Sequence, residues 1–156
     1  MPAATTIPSY SGASCRTVAH PDDPGVLLGA VGALRPGVAD AVVSLCRLGA
    51  GQAPLTGVRP EDHVEVWLID REDANLDLPG VFADGATAVR DLRAEGHTVL
   101  LHCVHAETRT PTVAAAYGAL ITGTSRAAAL DRVLAVLPSA RPRRSIVEGL
   151  LAGEAE

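Results

Sequence analysis

The residues best suited to chemistry lie in one segment, 99–112, which reads VLLHCVHAETRTPT. An aliphatic run ends in His102 and Cys103. Arg109 follows after five more residues, and Thr110 and Pro111 come where a helix can begin. Proline fits a first helical turn, because the amide it lacks would have no helical partner there. A strand, a tight loop and a helix start, in that order, turn backbone amides toward one point, which suits an anion such as phosphate. The same amides and the helix dipole favour a thiolate over a thiol, so a cysteine at that point is a candidate nucleophile. Arg109 closes the loop with a planar fork that matches two phosphate oxygens, a geometry lysine lacks. Thr110 can donate a hydrogen bond to the sulfur, most usefully when sulfur is the leaving group. Val104, His105, Ala106, Glu107 and Thr108 form the cradle between nucleophile and clamp.

Phosphoryl transfer to sulfur also needs a proton for the departing oxygen. The donor belongs on a loop at the C-terminal end of a neighbouring strand. Asp70 follows the run 64–69 and is the first candidate, with Asp73 second and Glu72 third. A turn-forming role is the bland alternative for an aspartate after a strand. His102, Cys103 and His105 do not read as a metal site, because adjacent ligands on one loop without outlying partners seldom complete a tetrahedral shell. No metal and no other cofactor is expected. Cys46 ends a run VVSLC and reads first as a small buried hydrophobe.

These groups need a frame that holds a strand end against a helix start. The chain supplies an α/β pattern, in which short aliphatic runs alternate with helical periodicity. Strands are expected at 26–28, 41–46, 64–69 and 98–102, the middle two rich in Val, Leu and Ile as buried strands are. Helices are expected at 79–95, stopped by Gly96, at 111–121, from a Ser125 cap to before Pro138, and at 143–151. Residues 50–62 read as a loop. Residues 1–24, rich in Pro, Ser, Thr and Ala, read as a loose N-terminal arm before a single domain at 25–152.

Composition narrows the function. A chain of 156 residues, 47% of them hydrophobic, suffices for one packed core, and 3% aromatic content makes that core aliphatic. All the basic residues are arginines. The net charge of −5 argues against a broad basic face for nucleic acid or anionic lipid. Arg141, Arg143 and Arg144 form the densest basic run and read as a solvated surface. No apolar stretch approaches the ~20 residues of a membrane span, and no secretory leader is apparent. Three widely spaced cysteines, Cys15, Cys46 and Cys103, suggest no disulfide framework, so a reducing cytoplasm is the expected compartment.

The pattern His-Cys, five residues, Arg-Thr resembles the signature of the cysteine-dependent protein tyrosine phosphatase superfamily. The stretch 70–82 (DREDANLDLPGVF) is similar to its dual-specificity branch, where the acid aspartate precedes an Asn-Leu pair by five residues, as Asp70 precedes Asn75 and Leu76. The resemblance covers about residues 26–151. It implies a mainly parallel sheet of four or five strands flanked by helices. It also implies hydrolysis of phosphomonoesters, on phosphoproteins or small molecules, through a phosphocysteine. His102 then helps to fix the loop, and Cys46, on a strand where some relatives carry a partner thiol, is a candidate for a reversible disulfide with Cys103. Two positions depart from the branch. Ala106 stands where glycine is usual, and Glu107 puts a carboxylate in the loop, which disfavours polyanionic substrates such as inositol phospholipids. Two other functions compete. Cys103, His105, Arg109 and Thr110 also resemble the triphosphatase domains of RNA-capping enzymes, and the unusual loop suits a phosphate-binding module with little turnover.

Overall fold

The run VLLHC at 99–103 is largely aliphatic, and it becomes the centre of the sheet. The computed structural model describes residues 16–48, 55, 57–68, 75, 77–138 and 140–153. Five strands form one sheet: β1 (Thr17–His20), β2 (Asp23–Ala30), β3 (Ala41–Ser44), β4 (His63–Glu65) and β5 (Val99–Cys103). Their order is β1-β2-β5-β3-β4. β1 and β2 pair antiparallel, and every other pairing is parallel. All five residues of β5 are buried, as a parallel strand flanked on both sides requires.

Alternation along the strands divides the two faces. Val26, Leu28, Ala41, Val43, Val99, Leu101 and Cys103 face the main core. There they meet the helices α1 (Leu78–Ala94), α2 (Arg109–Thr122), α3 (Arg126–Val136) and α4 (Arg144–Ala152) through side chains such as Phe82, Val113, Val133 and Ile146. Val42 and Leu100 face the other way, onto a smaller cluster with Ala33, Leu34, Val38, Leu55 and Val58 from loops and a short 3₁₀ turn.

Local signals set the helix ends. The Asp77 carboxylate accepts from the Gly80 amide at 3.1 Å, and Pro79 occupies the first turn of α1. Beyond its last turn Gly96 takes φ +91°, which favours glycine. Ser125 caps α3 by accepting from the Ala128 amide at 3.1 Å. α2 begins at Arg109, two residues before Pro111, and ends on Gly123 at φ +74°.

The N-terminal reading needs correction. Residues 17–24 hold β1, the turn after it and the start of β2, and belong to the sheet, not to an arm. β1 has four residues and no apolar alternation, so pattern alone could not reveal it. Residues 1–15 lie outside the described residues. β3 stops at Ser44, short of Cys46, and β4 covers 63–65, not 64–69. The chain past each strand end stays partly tied, with the Leu45 amide on the His102 carbonyl at 2.9 Å and the Val66 amide on the Ser44 carbonyl at 2.9 Å. Among the described residues no helix is long and apolar enough to cross a membrane.

The β1–β2 hairpin is fastened to the helical layer by polar contacts. His20 donates from Nε2 to the Ala114 carbonyl at 2.8 Å. Asp23 accepts from Arg93 at 2.8 and 2.9 Å and from the Tyr117 hydroxyl at 2.7 Å. Hydrogen bonding from Arg93 holds the Asp23 carboxyl down at about 2, against the partial burial that opposes it. A depressed carboxyl stabilises the fold fully above its unfolded value near 4 and loses that contribution as pH falls toward its folded one. Arg93→Ala should therefore cost about 2 kcal/mol in urea denaturation at pH 7. The gap from wild type should narrow between about pH 4 and pH 2 as Asp23 protonates.

Candidate active site

The parallel sheet delivers the ends of β2, β3 and β5 to one side, and the chain turns there from β5 into α2. Cys103 is the last residue of β5, directed into the helical core. The Ala106 amide donates to its Sγ at 3.2 Å and the Thr110 hydroxyl at 3.0 Å. One donor from the middle of the loop and one from the helix start thus meet at the sulfur, which is left as an acceptor. Thr110 sits in the first turn of α2, so the helix start is anchored on the candidate nucleophile.

The loop is fastened at each step. The Val104 carbonyl accepts from the Val31 amide at 3.1 Å, and the Glu107 carbonyl from the Arg141 amide at 3.0 Å. Thr108 is buried and turns away from the sulfur. Its hydroxyl donates to the Arg141 carbonyl at 3.3 Å and accepts from the Arg143 amide at 3.0 Å. The segment between α3 and α4 therefore braces the loop from behind. His105 and Glu107 are exposed, whereas Ala106 is buried with φ +60°. That is left-handed backbone, which costs an L-residue roughly 1–2 kcal/mol.

Arg109 points back toward the sheet. Its Nη1 donates to the Leu45 carbonyl at 3.1 Å and the Leu68 carbonyl at 3.4 Å, beyond β3 and β4. Its Nε is buried with no partner among the described residues. A charged donor left in that state is costly, and an oxyanion would satisfy it.

The other side of β5 carries a buried polar chain. His102 is fully buried, and burial pulls its imidazole down to about 4, so it is neutral at physiological pH. Its Nδ1 lies 3.2 Å from the Cys103 carbonyl and its Nε2 lies 2.7 Å from the Ser44 hydroxyl. Ser44 in turn contacts His63 Nε2 at 2.9 Å. Neither Ser44 nor His63 was among the sequence candidates. A polar residue inside the buried run AVVS was the available signal.

Cys46 lies just past β3 and is buried. Burial pushes its thiol up to about 11. The Arg109 charge opposes that shift and Cys103 adds to it, so both groups are within electrostatic reach. Asp70, Glu72 and Asp73 lie outside the described residues.

The fold is that of the dual-specificity phosphatases. Among solved structures, human DUSP28 superposes with a TM-score of 0.72 at 23% identity, over 89% of this chain and 93% of that one. A mouse putative dual specificity phosphatase complexed with zinc tungstate gives 0.73 at 19%, over 93% and 90%. The human tyrosine phosphatase-like serine/threonine/tyrosine-interacting protein gives 0.67 at 17%, over 85% and 92%. By sequence, the chain is similar to Dual specificity protein phosphatase 1 of Arabidopsis thaliana, with 30% identity over 98 residues. That match spans 62% of this chain and 48% of the plant protein, about half its length. No family model matches the chain.

The strained backbone at Ala106 generates a direct prediction. Ala106→Gly removes the Cβ from a left-handed position and should raise the stability of the folded chain by about 1 kcal/mol. Chemical denaturation would read this, and an unchanged or lower midpoint would show that the methyl group packs well enough to offset its backbone cost.

Proposed function

We propose that this chain is a cysteine-dependent phosphomonoesterase of the dual-specificity type, acting on phosphorylated proteins or small phosphomonoesters through a phosphocysteine. The observation that carries the reading is the convergence of the Ala106 amide and the Thr110 hydroxyl on Cys103 Sγ, at 3.2 and 3.0 Å. The buried Nε of Arg109, without a partner among the described residues, supports it. Tungstate, carried by the mouse relative, is a tetrahedral oxyanion like phosphate.

In the proposed cycle Cys103 sulfur attacks phosphorus in line and the P–O bond to the leaving group breaks. Asp70, protonated, gives its proton to the departing oxygen. Arg109 and the loop amides stabilise the three equatorial oxygens, where charge collects in the transition state. Asp70, now ionised, takes a proton from water as the water attacks the phosphocysteine. Thr110 stabilises the sulfur as it leaves. The exposed carboxylate of Glu107 beside the loop disfavours polyanions, which weighs against RNA 5′ ends. A second reading, phosphate binding with little turnover, draws its support from the strained Ala106 at the centre of the cradle.

Hydrolysis of p-nitrophenyl phosphate from pH 5 to 8 tests the reading. Wild type should turn over, Cys103→Ser should be inactive, and Asp70→Asn should lose about 100-fold in kcat together with the falling alkaline limb. A wild type as silent as Cys103→Ser that still binds vanadate would establish the binding module instead.

Cys46 is proposed as the thiol that protects an oxidised nucleophile. Peroxide converts Cys103 to a sulfenic acid, and Cys46 sulfur displaces its hydroxyl as water, giving a disulfide. Its raised thiol makes this step slow at neutral pH and faster in alkali. After brief peroxide treatment, wild type should recover activity with dithiothreitol while Cys46→Ser stays inactive. Equal recovery would leave Cys46 as packing alone.

A further inference from the structure

The polar chain behind the candidate nucleophile has only one consistent arrangement of its hydrogens. A carbonyl oxygen can only accept, so the 3.2 Å contact to the Cys103 carbonyl requires the proton of His102 on Nδ1. The ring is neutral, so its Nε2 carries a lone pair and must accept. The Ser44 hydroxyl, 2.7 Å away, therefore donates to it. A hydroxyl has one hydrogen, so Ser44 must accept from His63 Nε2 at 2.9 Å. His63 carries a proton on Nε2 both as that neutral tautomer and as the imidazolium, so the direction of the chain survives titration of His63.

The sheet explains why these groups meet. Ser44 is the register partner of His102 on one side and of Glu65 on the other, and His63 lies two residues before Glu65 on the same face. His102 and Ser44 are buried, whereas His63 on edge strand β4 is half-buried. The relay thus runs across three parallel strands, from the rim of the sheet to the first peptide of the loop. The peptide unit is planar and trans, so holding the Cys103 carbonyl also fixes the opposite direction of the Val104 N–H. The next carbonyl, of Val104, is already taken by Val31.

We propose that His63 and Ser44 are positioning residues for the phosphate loop. His63 orients the Ser44 hydroxyl, Ser44 holds His102 in the Nδ1–H tautomer, and His102 pins the Cys103–Val104 peptide in its anion-binding orientation. The arrangement of hydrogens stands by itself, and its effect on anion binding rests on the proposed phosphatase reading.

The test uses long-range proton–nitrogen NMR of the histidine rings in the full chain, with vanadate titrated into the same samples. Wild-type His102 should be neutral and protonated on Nδ1, the less common tautomer in water, throughout pH 5.5 to 8. His63→Leu and the buried Ser44→Ala should let a fraction of His102 move its proton to Nε2, and should weaken vanadate binding about five- to tenfold, the cost of one hydrogen bond. His63→Gln, whose amide can replace the Nε2 donor, should stay within twofold of wild type. Comparing Leu with Gln at a half-buried edge position decides the matter even if Ser44→Ala fails to fold. Wild-type His102 protonated on Nε2, or a His63→Leu spectrum like wild type, would overturn the relay. Equal vanadate affinity of the Leu and Gln variants would overturn its role in the loop. If wild type binds no vanadate, the anion-site reading falls, and the tautomers still decide the relay.

Discussion

Cys103 ends a strand that is paired on both sides, and most of the site follows from that. β5 lies between β2 and β3 with parallel neighbours, so its residues cannot shift without breaking two ladders. The sulfur is therefore delivered to a fixed point at the edge of the core. The loop bends back over it because Ala106 adopts a left-handed turn and Thr110 starts a helix within hydrogen-bonding distance. Strand, loop and helix are clamped by a single atom, which couples the folding of this junction to the geometry of the proposed chemistry.

The two faces of β5 do different work. Successive side chains point to opposite sides, so Cys103 enters the helical core while His102 enters the polar chain with Ser44. The helical face is aliphatic and excludes water around the sulfur. The other face carries a neutral, hydrogen-bonded imidazole that grips the backbone of Cys103 itself. Shifting the register of β5 by one residue would exchange these roles and lose both.

Stability and the proposed function pull against each other at two places. Ala106 holds a conformation that glycine would adopt with less strain, and Arg109 buries an Nε that has no partner among the described residues. Local costs of this kind persist where surrounding structure over-determines them. Here the brace comes from the segment after α3, through Arg141, Arg143 and Thr108, and from Val31 before β3. The solvated basic run at 141–144 thus includes backbone that supports the loop, while the side chains of Arg141 and Arg144 remain exposed.

The sequence by itself determined the α/β class, the four helices, the central strand and the segment 102–110, because each leaves a local mark: periodicity, a cap, a stop, or a fixed spacing between Cys103 and Arg109. It did not reveal β1, whose four residues are held by pairing with β2 and by His20 reaching Ala114, contacts with no local pattern. Nor did it reveal the Ser44–His63 chain. Those residues are 19 apart in sequence and meet His102 only through the register of three parallel strands. Tertiary structure alone also decided that Thr108 turns away to brace the loop and that Arg109 reaches the carbonyls of Leu45 and Leu68. Residue types announce what chemistry a segment can support, but which donors face which acceptors is set by packing between elements distant in the chain.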